Sequence, residues 1–107
     1  MTTFDSRKDT AEKKFAHDAE LQFKATARRN KLLGFWVAEK LGMAGEAAEA
    51  YARAVVMSDF EEAGDEDVFR KVRKDFDAAG IAESDHVIRR TMDELMAKAI
   101  TEIQTGG

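Results

Sequence analysis

No proline interrupts this chain of 107 residues. Proline fixes φ and removes a backbone donor, so it is the residue that most often ends a helix. Without it, and with abundant Ala, Glu, Lys and Arg and few β-branched runs, the chain defaults to helix throughout. Glycine must then supply the breaks. "LGMAG" (Leu41–Gly45) closes a first segment, Gly64 within "EEAGDED" separates a second from a third, and "AAGIAESD" (Ala78–Asp85) separates the third from a fourth. Four helices are predicted, over about 18–41, 46–63, 66–79 and 85–104. A chain of this size makes one core, burying roughly 65% of its unfolded surface.

Periodicity names the faces. In the second helix Tyr51, Val55, Met57 and Phe60 supply the packing, with alanines allowing close approach. The third carries Val68, Val72, Phe76 and Ala79 as one stripe, with Asp65 as its N-cap, Gly80 just past its end and Ile81 closing it. The fourth starts from Ser84 as N-cap and repeats Ile88, Met92, Leu95, Ala99 and Ile103. Met43, Met57, Met92 and Met96 read as core or near-core filling. The first helix presents Leu21, Ala25, Leu32, Phe35 and Trp36, with Trp36 as the core anchor.

The opening "MTTFDSRKDTAEKKFAH" differs from all of this. Its apolar line is Phe4, Ala11 and Phe15, which at 100° per residue stands about 90° from the face of the first helix. Three apolar positions cannot offset ~1–2 kcal/mol of backbone entropy per residue. The expected organisation is therefore an all-α four-helix bundle, residues 18–105, with a mobile, partly disordered arm, residues 1–17, that becomes helical when bound. Asp9–Lys13 and Glu20–Lys24 are i,i+4 pairs in the favourable orientation.

Net charge is −4, unevenly spread: residues 1–31 carry +3 and residues 32–107 carry −7. The acidic body argues against general nucleic-acid binding. The absence of cysteine excludes disulfides and thiolate metal sites and suits a reducing compartment. The start has no apolar leader and no window is long and apolar enough to cross a bilayer, so neither export nor direct membrane insertion is expected.

Candidate sites are few. Aligned as a calcium loop from Asp59, the acidic run places Gly64 correctly, but Ala63 fills a ligand position and Arg70 stands where a bidentate Glu is needed. Helix-end electrostatics explain the run better, and no metal is expected. "AAGIAESDHVIRR" departs from a helix-turn-helix at Phe76 and His86. "ARRNK" makes Arg28, Arg29 and Lys31 candidates for a secondary contact or a weak ADP/ATP contact, although no glycine-rich phosphate loop accompanies them. Against that stands the plainer reading of solvated bases with their stems over neighbouring residues. His17 and His86 have no catalytic or ligand partners at suitable spacing, and Ser6, Ser58 and Ser84 have no activating base. No catalytic residue is expected, and no cofactor.

Two stretches carry more. "KFAHDAELQFKATARRNKLLGFWVAEKLG" (Lys14–Gly42) and "VVMSDFEEAGDEDVFRKVRKDFDAAGIAESDHVIRR" (Val55–Arg90) resemble the zeta subunit of alphaproteobacterial F-type ATP synthases, with "ARRNKLLG" and "DFEEAGDEDVFRKV" as the specific runs. The resemblance implies a four-helix bundle whose N-terminal arm inhibits ATP hydrolysis. It implies that the arm enters the catalytic interface between alpha and beta near gamma, while the bundle docks outside. It implies a cytoplasmic location, peripheral at the inner face of the plasma membrane when bound. Carried over by position, the inhibitory residues are Thr3, Phe4, Asp5, Arg7, Lys8, Asp9, Ala11, Lys13, Lys14 and Phe15. "SRKDTAEKK" departs most from the family pattern. A monomer is expected when free, since no helix sustains a heptad seam. The alternative is a helical adaptor with no effect on ATPase turnover.

Overall fold

The computed structural model describes the backbone of residues 3–59 and 65–105, and side chains over 19–59 and 65–105. Four helices follow one another: α1 (Thr3–Lys40), α2 (Gly45–Ser58), α3 (Glu66–Ala78) and α4 (Asp85–Gln104). α1 packs along α2 on one side and α4 on the other, and α3 closes the bundle between α2 and α4.

The connections follow from glycine. Gly42, at φ 78°, lets Met43 N–H reach Ala38 C=O at 2.8 Å and Gly42 N–H reach Glu39 C=O at 3.1 Å. Gly80, at φ 72°, does the same for α3: Ile81 N–H bonds Phe76 C=O at 2.9 Å and Gly80 N–H bonds Asp77 C=O at 3.1 Å. Both are the paired closing bonds that a left-handed residue permits, and Ile81 folds onto the core as expected. At the start of α4, Ser84 Oγ accepts from Val87 N–H at 3.1 Å, a cap whose removal costs ~1 kcal/mol.

Two helix ends differ from expectation. α2 stops at Ser58 rather than near Ala63. Ser58 Oγ donates back to Val55 C=O at 2.7 Å, and the Asp59 N–H turns to Val56 C=O at 3.3 Å. That tightens the last turn of α2; residues 60–63, expected to continue it, lie outside the described residues. Asp65 does occupy the N-cap position of α3, but its carboxylate makes no capping bond; it is held by an arginine of α1, described below.

The core comprises Leu33, Val37, Val55, Val68, Phe69, Val72, Phe76, Ile88 and Met92, each side chain contributing roughly 1.5–3 kcal/mol by leaving water. The stripes of α3 and α4 are largely as read, although Ala79 is exposed at the end of α3. Met43 and Met57 are exposed rather than core. Phe60 lies outside the described residues. Trp36 is at the rim of the core, its ring edge-on to Phe76 at 5.7 Å with Lys40 Nζ over its face at 5.0 Å.

The main correction concerns α1. Its buried face is Ala25, Arg29, Asn30, Leu33, Gly34, Val37 and Ala38, whereas Leu21, Leu32, Phe35 and Trp36 are only half-buried. At 100° per residue, this face centres roughly 50° from the Phe4–Ala11–Phe15 line, on the opposite side from the expected offset. The phase of the apolar residues therefore does not separate arm from bundle. Nor does the helix break between them, since α1 is continuous from Thr3 to Lys40. Gly34 explains why the face turned. A Cβ there would lie 2.5 Å from Ala52 Cα, so α1 and α2 cross with backbone nearly touching backbone. That approach draws Asn30, Gly34 and Ala38 inward.

Candidate functional site

Consecutive helical residues point 100° apart, so "ARRNK" cannot form one patch. The structure divides it three ways. Arg28 is half-buried and turns to α4, its Nη1 reaching Glu102 Oε1 at 3.4 Å. Arg29 goes inward and is 1% exposed. Its Nη2 donates to Asp65 Oδ1 at 2.8 Å, and its Nε donates to Asn30 Oδ1 at 2.7 Å. Lys31 is exposed on a third side, toward α2. Arg29 is thus a structural tie between α1 and the start of α3, closed to any phosphate, and the three bases form no shared anion site. The arm residues Thr3, Phe4, Asp5, Arg7, Lys8, Asp9, Ala11, Lys13, Lys14 and Phe15, like His17, lie outside the side chains described.

Around Arg29 the acidic run acquires its structural sense. Asp65 holds the guanidinium, and Asp67, 2% exposed, accepts from Val68 N–H at 2.8 Å. Asp59, at the end of α2, is held above the ordinary carboxylate range by burial first and by the charge of Asp67 second. The neighbouring Asn30 and Arg29 oppose the shift. Asn30 Nδ2, fully buried, closes no hydrogen bond of normal geometry among the described residues.

A second polar tie joins α2 to α3. Tyr51 Oη donates to Asp75 Oδ2 at 2.6 Å, and Lys71 Nζ meets the same oxygen at 3.2 Å while lying over the Tyr51 ring. Burial, then the bond and charge of Asp75, push the Tyr51 hydroxyl far up, so it stays a proton-bearing donor. Arg73 links α3 to α4 by pairing with Asp77 at 2.7 Å and Asp85 at 3.1 Å. Tyr51–Asp75 and Arg73–Asp85 cross helix boundaries, whereas Lys71–Asp75 and Arg73–Asp77 lie within α3.

An open, largely apolar concave surface lies between α1 and α2. A groove of about 500 Å³ is floored by Ala52 and Val56 and bounded by Lys31, Phe35, Glu49, Arg53 and Met57. It adjoins a hollow of about 160 Å³ beside Phe23, Ala27, Asn30 and Asp59, with Val56 common to both. Phe23 is 70% exposed and Met57 64%. Sequence reading passed over Phe23 and assigned Phe35 and Met57 to the core because it sought one stripe per helix. The signal was present: Phe23, Ala27, Lys31 and Phe35 recur every four residues, a second line roughly 160° around the helix from Ala25, Arg29, Leu33 and Val37.

The model of the family "ATPase inhibitor subunit zeta" matches residues 1–102, nearly the whole chain. The chain belongs to this family. A protein known from a solution NMR structure is 50% identical, over 79% of this chain and 96% of that one, with a TM-score of 0.71. No curated protein sequence matches the chain. Family membership makes this an inhibitor-family subunit with an all-α, four-helix fold, a regulatory rather than a catalytic class of protein. Among the described residues, no helix is long and apolar enough to cross a membrane.

Proposed function

We propose that this chain inhibits ATP hydrolysis by an F-type ATP synthase, with residues 1–17 as the inhibitory element and the bundle as its anchor. The observation that carries this reading is the extent of the family match, which begins at residue 1 and so includes the arm within the inhibitor pattern. The continuity of α1 supports it, because an arm that becomes ordered as a helix on entering another protein extends directly from the first helix of the bundle.

The arm enters the catalytic interface between alpha and beta near gamma, in one rotational state of the enzyme. Hydrolysis requires that interface to open and close in turn. A helix with higher affinity for one state shifts the population toward it and stalls turnover. Phe4 and Phe15 are the apolar anchors. Arg7, Lys8, Lys13 and Lys14 meet acidic or carbonyl-rich walls, Asp5 and Asp9 meet basic ones, and Thr3 and Ala11 complete the contact face. Ordering the arm on binding costs affinity, which keeps the inhibitor releasable. The protein acts on the cytoplasmic side, peripheral to the membrane through its partner, and is monomeric when free.

The test is titration of purified ATP synthase with the full chain and with a chain lacking residues 1–17. The truncated chain is expected to lose inhibition while keeping its helical circular dichroism. Equal inhibition by both chains overturns the role of the arm. Binding of the full chain without any effect on turnover establishes the helical-adaptor reading instead.

A further inference from the structure

The groove between α1 and α2 has no place in the arm mechanism, yet it gathers features that point to a partner. Its floor is apolar, and at its margins Phe23 and Met57 stay largely in water although both are large hydrophobic side chains. Two cations, Lys31 from α1 and Arg53 from α2, border the groove against a single carboxylate, Glu49, and neither cation makes an ion pair or hydrogen bond among the described residues. Most other bases of the bundle are engaged: Arg28 with Glu102, Arg29 with Asp65, Lys71 with Asp75, and Arg73 with Asp77. Unpaired cations flanking an apolar trough are complementary to an amphipathic element that carries an apolar ridge and flanking carboxylates.

We infer that this groove is the docking surface for an acid-flanked amphipathic helix on the ATP synthase, and that it holds the bundle in place while the arm acts. The inference rests on the function proposed above. From Phe23 to Phe35 the trough runs about 18 Å at 1.5 Å per residue, room for roughly three turns of a docked helix. The trough and the arm share one helix, so engagement of either raises the effective concentration of the other at the enzyme.

The experiment uses the full chain and purified ATP synthase, reading binding by biolayer interferometry and inhibition by ATPase assay. Two double variants are made, Lys31→Glu with Arg53→Glu, and Phe23→Ser with Met57→Ser, with Lys98→Glu on α4 as control. All the altered side chains are exposed, so the melting temperature should hold. Each double variant is expected to raise Kd at least tenfold, chiefly through faster dissociation, with the control unchanged. Raising salt should weaken the wild type but not the charge-reversed variant. A wild type that binds and inhibits, with both double variants binding equally well, overturns the groove while leaving the arm mechanism intact. A wild type that binds through the groove without inhibiting overturns the arm mechanism alone, and one that does not bind overturns both. A dimer in sedimentation velocity that both double variants abolish assigns the groove to a second copy and overturns the inference.

Discussion

The two long edges of α1 invert the usual placing of charge and hydrocarbon. One edge takes Arg29 into the interior at 1% exposure, while the other leaves Phe23 at 70% exposure, less than two turns away. On the inner edge the charge is affordable because Asp65 and Asn30 accept its hydrogen bonds within 2.8 Å. A buried cation that has partners fixes where a distant segment must lie; without them it would be expelled. On the outer edge Phe23, like Met57 of α2, stays largely exposed among the described residues. The inner edge therefore serves the fold, and the outer edge leaves large apolar side chains exposed.

The largest effect that can break this comparison is expected at the inner edge. Asp65→Ala leaves the Arg29 guanidinium buried without its counter-ion and should lower unfolding free energy by about 3 kcal/mol, measured by urea denaturation. Arg29→Ala in the same background should recover part of that loss, since the orphaned charge goes with it. Additive losses in the double variant would mean that the pair is not coupled and that Arg29 serves only as packing.

A smaller effect is expected at the crossing that separates the two edges. Gly34→Ala gains ~1 kcal/mol of helix propensity but sets a methyl group against Ala52 Cα, and overpacking of this kind costs ~1–3 kcal/mol. The expected net result is a loss, seen as a lower melting temperature. Because the clash is with backbone, Ala52→Gly should not restore stability; full rescue would show that the helices touch only through side chains.

The smallest effect on stability should come from the outer edge. Phe23→Ser is expected to change unfolding free energy by no more than about 0.5 kcal/mol in thermal or urea melts. A loss as large as that at Asp65 would place Phe23 in the core in solution and erase the contrast between the edges.

Much of the bundle is legible in the residues alone. Gly42 and Gly80 announce their helix ends because a left-handed closing residue is a local requirement, and Ser84 announces its cap for the same reason. Val68, Val72 and Phe76, and likewise Ile88 and Met92, reveal their faces because each helix has one apolar stripe. α1 was harder to read because it packs between α2 and α4 and carries apolar residues on more than one side. Its phase cannot be chosen until its neighbours are placed. The candidate site was less legible still: "ARRNK" reads as a basic patch along the chain, and the helix sends its three charges in three directions.

What the sequence by itself determined is therefore local and compositional: all-helical structure, the helix breaks at Gly42 and Gly80, the Ser84 cap, the stripes of α3 and α4, and the family. Tertiary structure alone decided which edge of α1 is inside. Gly34 admits Ala52 to within backbone contact, and that approach rotates Arg29 and Asn30 inward and leaves Phe23, Lys31 and Phe35 beside an open groove. The physical reason is range. Caps and periodicity act over one or two turns, whereas the fate of Arg29 depends on Asp65, which the chain brings back only after α2 has turned.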